Sequence, residues 1–174
     1  MTPDAGTDVE PASGERLKRV RWRLTGWAFL IAVVVVLIDQ GTKVWAEATL
    51  AEHERIPLVG NLLGLQLAYN PGAAFSLGEG STWVFALVAV AATVTAIVFA
   101  FRVRGPGLAI VIGALGGAAA SHAGDRLFRA PGFARGHVVD FLAYGTWFIG
   151  NLADIVIVTA AIAGALLMIR GNES

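Results

Sequence analysis

Four stretches of the chain hold apolar residues long enough to cross a bilayer, and polar segments separate them. Thr82–Phe101 (TWVFALVAVAATVTAIVFAF) runs for 20 residues without a charge. At about 1.5 Å per residue it covers roughly 30 Å, the thickness of the hydrocarbon core. Trp147–Ile169 is a second run, 23 residues long and interrupted only by Asp154. Gly107–Gly124 (GLAIVIGALGGAAASHAG) is a third, and its glycines and alanines suit close helix packing inside a bundle. The run nearest the N-terminus, Leu24–Ile38, continues through Asp39 and Lys43 to Ala46. The pattern predicts four membrane helices at about 24–46, 82–101, 107–125 and 147–169, in one domain over 16–170.

The segments between them read differently. Residues 47–81 open on acidic AEATLAEHE and continue as IPLVGNLLGLQLAYNPGAAFSLGEG, where apolar and small residues alternate between Gly and Asn breaks. That predicts short strands or a small sheet on the membrane surface. VVDFLAY at 138–144 predicts a short extended or interfacial piece. Residues 1–15 (MTPDAGTDVEPASGE) read as a disordered tail, and 171–174 as a second short tail. A cleavable leader is not expected, because no processing site follows the run that begins near Leu24.

Composition supports lipid as the solvent. Charged residues are 15% of the chain, against roughly a quarter in soluble domains. The formal net charge of zero argues against nucleic acid as a main partner, and the lack of cysteine removes thiol chemistry and disulfides. The basic residues set an orientation. Arg16, Lys18, Arg19, Arg21 and Arg23 precede the first span, Arg102 and Arg104 link the second and third, and Arg170 ends the fourth. With four spans all of these share one side, which the positive-inside rule makes cytoplasmic, together with both termini.

An ionisable side chain within a span costs about 2.5–3.5 kcal/mol on insertion scales, so each needs a reason. Asp39 and Asp154 lie within spans, Asp125 ends the third, and Asp140 lies in the outer loop before the fourth. Helix ends near Ala46 and Trp147 would bury Asp39 and Asp154 about 10 Å below the outer surface, so the four acids gather in one leaflet. Asp39 and Lys43 are four apart and fit an ion pair as well as chemistry. Asp125 beside Arg126 reads as a pair or cap. Asp154 has no basic residue within a turn, and Asp140 stands between Val139 and Phe141. Asn151, three residues before Asp154, shares its helical face and can orient it.

Two carboxylates held close share a proton. One can then act as general base on water while the other protonates a carbonyl oxygen, the logic of aspartic proteases. Asp140 and Asp154 are the best such pair. The acids also leave open a small proton- or ion-coupled transporter, although they crowd one leaflet and no inverted repeat is visible. No HExxH occurs, and His53, His122 and His137 lack metal-ligand spacing. Ser121 and His122 are adjacent and would point about 100° apart on a helix.

Taken in order, the motifs resemble those of the prolipoprotein signal peptidases, the type II signal peptidases of bacteria, over about residues 35–160. DQGTK at 39–43, YNPGAAFS at 69–76, GDRLFR at 124–129, VVDF at 138–141 and NLADIVI at 151–157 carry the likeness. The resemblance implies an all-α membrane fold of four helices with a small periplasmic β-sheet, or cradle, and a short surface helix. It implies an aspartic endopeptidase that removes signal peptides from diacylglyceryl-modified prolipoproteins just before the lipidated cysteine. Asp140 and Asp154 match the catalytic pair. Asp39, Lys43, Asn70, Gly72, Asp125, Arg126 and Asn151 match positions that support the site or hold substrate, and His122 falls among them. Arg126 is the candidate to bind substrate backbone or lipid-linked carbonyls. The resemblance implies no metal or organic cofactor. It implies a bacterial cytoplasmic (inner) membrane setting with the site near the outer face, and prolipoprotein, membrane lipid and globomycin-type cyclic peptides as partners.

Two departures stand out. Where the family has G-N-x-x-D-R, this chain reads Ser121–His122–Ala123–Gly124–Asp125–Arg126, and Gly150 stands where a Phe is expected before Asn151. Imidazole can replace an amide as donor or acceptor but brings a titratable charge. The alternative these departures raise is a catalytically impaired homologue that binds lipoproteins.

Overall fold

Small residues decide where the helices meet. On the third helix, a Cβ added at Gly113 would lie 2.5 Å from the Ala28 carbonyl oxygen, and one at Gly117 would lie 2.6 Å from that of Ala32. One turn around, a Cβ at Gly116 would stand 2.9 Å from the Cβ of Ala96. The same helix therefore takes the first helix against one face and the second against another, at backbone distances that larger residues forbid.

The computed structural model describes residues 13–52, 54–72 and 82–172. Four helices, α1 (Ser13–Thr49), α2 (Thr82–Ala100), α3 (Pro106–Phe128) and α4 (Leu152–Asn172), are joined by four strands. The strands are β1 (Ile56–Val59), β2 (Leu63–Asn70), β3 (Val138–Tyr144) and β4 (Phe148–Gly150), and they form one antiparallel sheet in the order β1-β2-β3-β4. All four helices are long and apolar enough to span a membrane. α3 is the central one: 39% of its apolar window is buried, against 17% in each of the others. It packs on α1, α2 and α4 in turn, whereas α1 touches α2 and α4 only lightly. The outward faces carry Leu30, Val33, Leu87, Val158 and Ile162 in exposed positions, as expected where lipid replaces water.

Several boundaries differ from the sequence expectation. α1 has 37 residues, about 55 Å, so its first turns, with Arg16 through Arg23, reach beyond a hydrocarbon core. Residues 13–15, expected in a disordered tail, are helical; residues 1–12 lie outside the described part. α4 starts at Leu152 rather than at Trp147, because 148–150 pair with β3. Gly145, at φ +55°, turns that hairpin, and the Trp147 N–H closes it on the Tyr144 carbonyl at 3.0 Å. Among the described residues there is no short surface helix, and 73–81, with the Ala-Phe end of the NPGAAF motif, lie outside them.

The sheet closes one end of the bundle. Val139 and Phe141 of β3 pack with Leu67 of β2 on Ala46 and Leu50 of α1. Alternation along the strand then turns Asp140, between them, to the opposite face. At the other end, Thr25 Oγ1 donates to the Ala100 carbonyl (2.9 Å) and Arg21 to the Phe101 carbonyl (3.2 Å). The basic segment before the first span and the basic α2–α3 link therefore share one end.

Candidate active site

Lys43 is the centre of a closed polar cluster. It is fully buried, with Nζ 2.5 Å from Asp39 Oδ2 one turn earlier on α1 and 2.7 Å from Asp125 Oδ2 on α3. Asp125 Oδ1 accepts from Gln40 Nε2 at 2.9 Å and from Arg129 Nε at 2.7 Å. Ser121 donates to Asp39 Oδ2 at 2.6 Å and accepts from Gln40 at 2.8 Å. Arg129 also grips both oxygens of Glu47, at 2.7 and 2.8 Å. Asp39 and Lys43 thus form the expected ion pair, with a third member from another helix. Asp125 does not pair with its neighbour Arg126, as the sequence suggested; it pairs with Lys43 and Arg129. Consecutive residues point about 100° apart on a helix, while residues four apart share a face.

Arg126 faces the other way. Its guanidinium donates to the carbonyls of Asn70 (2.9 Å), Gly136 (3.2 Å) and Gly72, and lies 5.5 Å over the Phe85 ring of α2. The expected carbonyl-binding arginine therefore holds carbonyls of its own chain, tying the exit of β2 to α3. A Cβ on Gly136 would fall 2.1 Å from the Asp125 carbonyl oxygen, so only glycine lets that loop close over the helix end. Gly72 N–H donates to Asn70 Oδ1 at 2.9 Å and fixes the amide that faces the next cluster.

That second cluster is arranged around Asn151. Its side-chain amide donates to Asp140 Oδ1 at 2.6 Å, while Asp140 Oδ2 accepts from Asn70 Nδ2 at 3.0 Å. Asn151 is also the N-cap of α4. Its Oδ1 accepts from Asp154 N–H (3.2 Å) and its own N–H donates to Asp154 Oδ2 (2.9 Å), a reciprocal capping box. One residue thus holds both carboxylates. Asp154 Oδ1 is 3.3 Å from His122 Nε2 of α3. The Ala153 N–H donates to Asp39 Oδ1 at 2.9 Å and joins the two clusters. The sequence places Asp39 and Asp154 each seven residues from a helix end. Asp39, ten residues from the end of α1, reaches the first turn of α4 only through the Ala153 N–H, and Asp154 lies in that same turn.

The two acids differ in surroundings. Asp140 is 3% exposed, and burial, followed by the nearby charge of Asp154, pushes it up to about 6. Hydrogen bonds from Asn70 and Asn151 and the proximity of His122 pull the other way. The Asp154 side chain is 43% exposed. A buried acid that gains a proton easily and an accessible acid beside it can share acid and base roles.

Sequence reasoning missed Gln40, Glu47, Arg129 and Phe85. Arg129 stands four residues after Asp125, so helical spacing carried a signal for it. Gln40, Glu47 and Phe85 carried none, since their partners come from other helices.

The sequence profile described as "Signal peptidase (SPase) II" matches residues 31–170. A lipoprotein signal peptidase of Leifsonia xyli subsp. xyli is 44% identical over 143 residues, covering 82% of this chain and 66% of that protein. One of Bifidobacterium adolescentis is 40% identical over 155 residues, 89% and 82% of the two chains. One of Mycobacterium bovis is 38% identical over 172 residues, 99% and 83%. In fold, the chain resembles a bacterial membrane enzyme solved by the in meso method at 2.3 Å resolution. The TM-score is 0.73, at 24% identity and with 84% of this chain and 90% of that one covered. From the reach of that profile and the depth of those identities, the chain belongs to the signal peptidase II family, membrane peptidases that remove signal peptides from prolipoproteins.

Proposed function

We propose that Asp140 and Asp154 are the catalytic pair of an aspartic endopeptidase that cuts a diacylglyceryl-modified prolipoprotein just before its lipidated cysteine. The observation that carries this reading is the bridging of both carboxylates by Asn151, with one acid buried and the other accessible. One carboxylate takes a proton from water as its oxygen attacks the scissile carbonyl carbon. The other gives its proton to the carbonyl oxygen. The tetrahedral intermediate then collapses, the C–N bond breaks, and the new amine leaves with a proton returned by the pair.

Asp39, Lys43 and Asp125 support the site by anchoring the start of α4, and Asn70, Gly72 and Arg126 by fixing the edge of β2. The end that carries Arg16–Arg23, Arg102 and Arg104 lies inside by the positive-inside rule, which puts the sheet end, the carboxylates and the cleavage point at the outer face of the bacterial inner membrane. A signal segment whose basic end stays inside presents its cleavage point at that depth. The lipid-modified cysteine and the surrounding membrane lipid meet the site from the bilayer, and a globomycin-type cyclic peptide competes for the same space.

The test is turnover of a lipidated prolipoprotein by purified protein in detergent, read as a gel shift. Asp140→Asn and Asp154→Asn should each lower kcat by roughly 10³-fold or more, with helical content retained. Turnover preserved in either variant removes the mechanism. A globomycin-type peptide should block the wild-type reaction.

A further inference from the structure

We infer that His122 is a positioning residue that holds Asp154 as the ionised base, leaving Asp140 to carry the proton as the acid. This rests on the Asp140/Asp154 reading above. Ser121 and His122 diverge by one helical step, and the two clusters divide them. Ser121 turns to Asp39 in the closed cluster, at 2.6 Å, and His122 turns to Asp154 Oδ1, at 3.3 Å. The other oxygen of Asp154 accepts the Asn151 N–H at the start of α4. Asp154 therefore lies between an imidazole and a helix N-terminus, both of which favour a negative charge.

Asp140 has no such pairing. Both its oxygens accept from neutral carboxamides, those of Asn70 and Asn151, on a strand residue that is 3% exposed. Burial and the charge of Asp154 raise its affinity for a proton. The other charged and titratable groups in reach of the pair are Lys43 from α1, Arg126 from α3 and Tyr144 from β3. Lys43 is committed to Asp39 and Asp125, and Arg126 to backbone carbonyls, so His122 is the side chain able to carry a positive charge that contacts Asp154.

The asparagine usual at this position of the family motif could donate a hydrogen bond to Asp154 but could not add a charge. With histidine there, the site gains a side chain able to carry a positive charge. An imidazole changes charge between about pH 5 and 8. A cation at this distance favours the ionised carboxylate, so its loss lowers the population of the base at acid pH.

The experiment compares kcat/KM for the wild type and His122→Asn from pH 5 to 8. The ratio of wild type to variant should be larger at pH 5 than at pH 8, with His122→Gln behaving like His122→Asn. A ratio that does not change with pH means that His122 only packs, and overturns the inference. If His122→Asn is inactive throughout, the ¹⁵N imidazole resonance of His122 decides. It should move in Asp154→Asn relative to wild type, and an unchanged resonance overturns the inference. Turnover by Asp154→Asn would sink the parent reading instead, so the two failures are distinguishable.

Discussion

Two groups of carboxylates share the sheet end of this bundle, and they are built by opposite rules. Around Lys43 every charge is answered: Asp39 and Asp125 flank the ammonium, Arg129 and Gln40 take the remaining lone pairs, and Ser121 closes the ring. Lys43, Asp39 and Asp125 are each no more than 1% exposed. Around Asn151 the acids are held by neutral amides and one imidazole, and Asp154 is open to its surroundings. The difference separates two uses of a carboxylate in a membrane protein. A fully compensated buried charge holds helices together. A buried carboxyl held only by neutral amides, beside a second that solvent can reach, is free to exchange a proton with water through its neighbour.

The strongest way to break that comparison is to remove the ammonium. Lys43→Met leaves Asp39 and Asp125 buried side by side without their common cation. Breaking a buried pair on one side costs about 3–5 kcal/mol, so the variant should unfold well below the wild type in a detergent thermal scan and lose activity with its fold. Asp154→Asn, by contrast, should lose turnover and keep its melting temperature within a few degrees. If Lys43→Met melts with the wild type, the closed cluster is not structural and the division fails.

A second test reads the open cluster through pH. Asp140 is raised from 3.8 to about 6, mainly by burial, so its protonated form is the one the fold prefers. Its contribution to stability is fully present below the unfolded value of 3.8 and is lost as pH rises through about 6. About two pH units at 1.36 kcal/mol each give about 3 kcal/mol. Asp140→Asn carries a constant cost, because an amide cannot accept from both Asn70 and Asn151, and that cost cancels in a difference taken across pH. The stability of wild type minus Asp140→Asn should therefore fall by about 2.4 kcal/mol between pH 4 and pH 8. A flat difference would mean that Asp140 is already satisfied as an anion.

Much of this is legible in the chain itself, and the rest is hidden for identifiable reasons. The four spans stand out because an uncharged run of 20 residues fits a bilayer and little else. Asp140 and Asp154 stand out because an acid in an apolar setting is costly unless it serves a purpose. The start of α4 is hard to place because Trp147, Phe148 and Ile149 are as apolar as the helix that follows. Hydropathy cannot tell a short hairpin strand from another helical turn. The pairing of Asp125 misleads because adjacency in sequence is not adjacency in space. Lys43 and Asp125 are 82 positions apart, and no spacing rule reaches across two helices whose approach is set by Gly113 and Gly117. Asn151 is marked by its place on the helical face, but its larger role, capping α4 while reaching Asp140, needs the hairpin.

The smallest expected effect is the sharpest test of that double role. Asn151 contributes to stability as an N-cap and to the site as the amide between two carboxylates, and different substitutions take these apart. Asn151→Ala removes both, so it should cost about 1 kcal/mol of stability and also slow turnover. Asn151→Ser keeps a good capping oxygen, so its stability should stay within a few tenths of a kcal/mol of wild type. A serine hydroxyl on its short stem does not span the gap that the carboxamide closes at 2.6 Å, so Asp140 loses one donor in both variants. A hydrogen bond to a carboxyl in this setting is worth about 1.5 kcal/mol, or roughly tenfold in rate. Stability and kcat should then separate: the serine variant melts like wild type and turns over like the alanine variant. Were the serine variant to keep full turnover, the cap alone would account for Asn151. The two carboxylates would then be neighbours by virtue of the helix start, not by the amide between them.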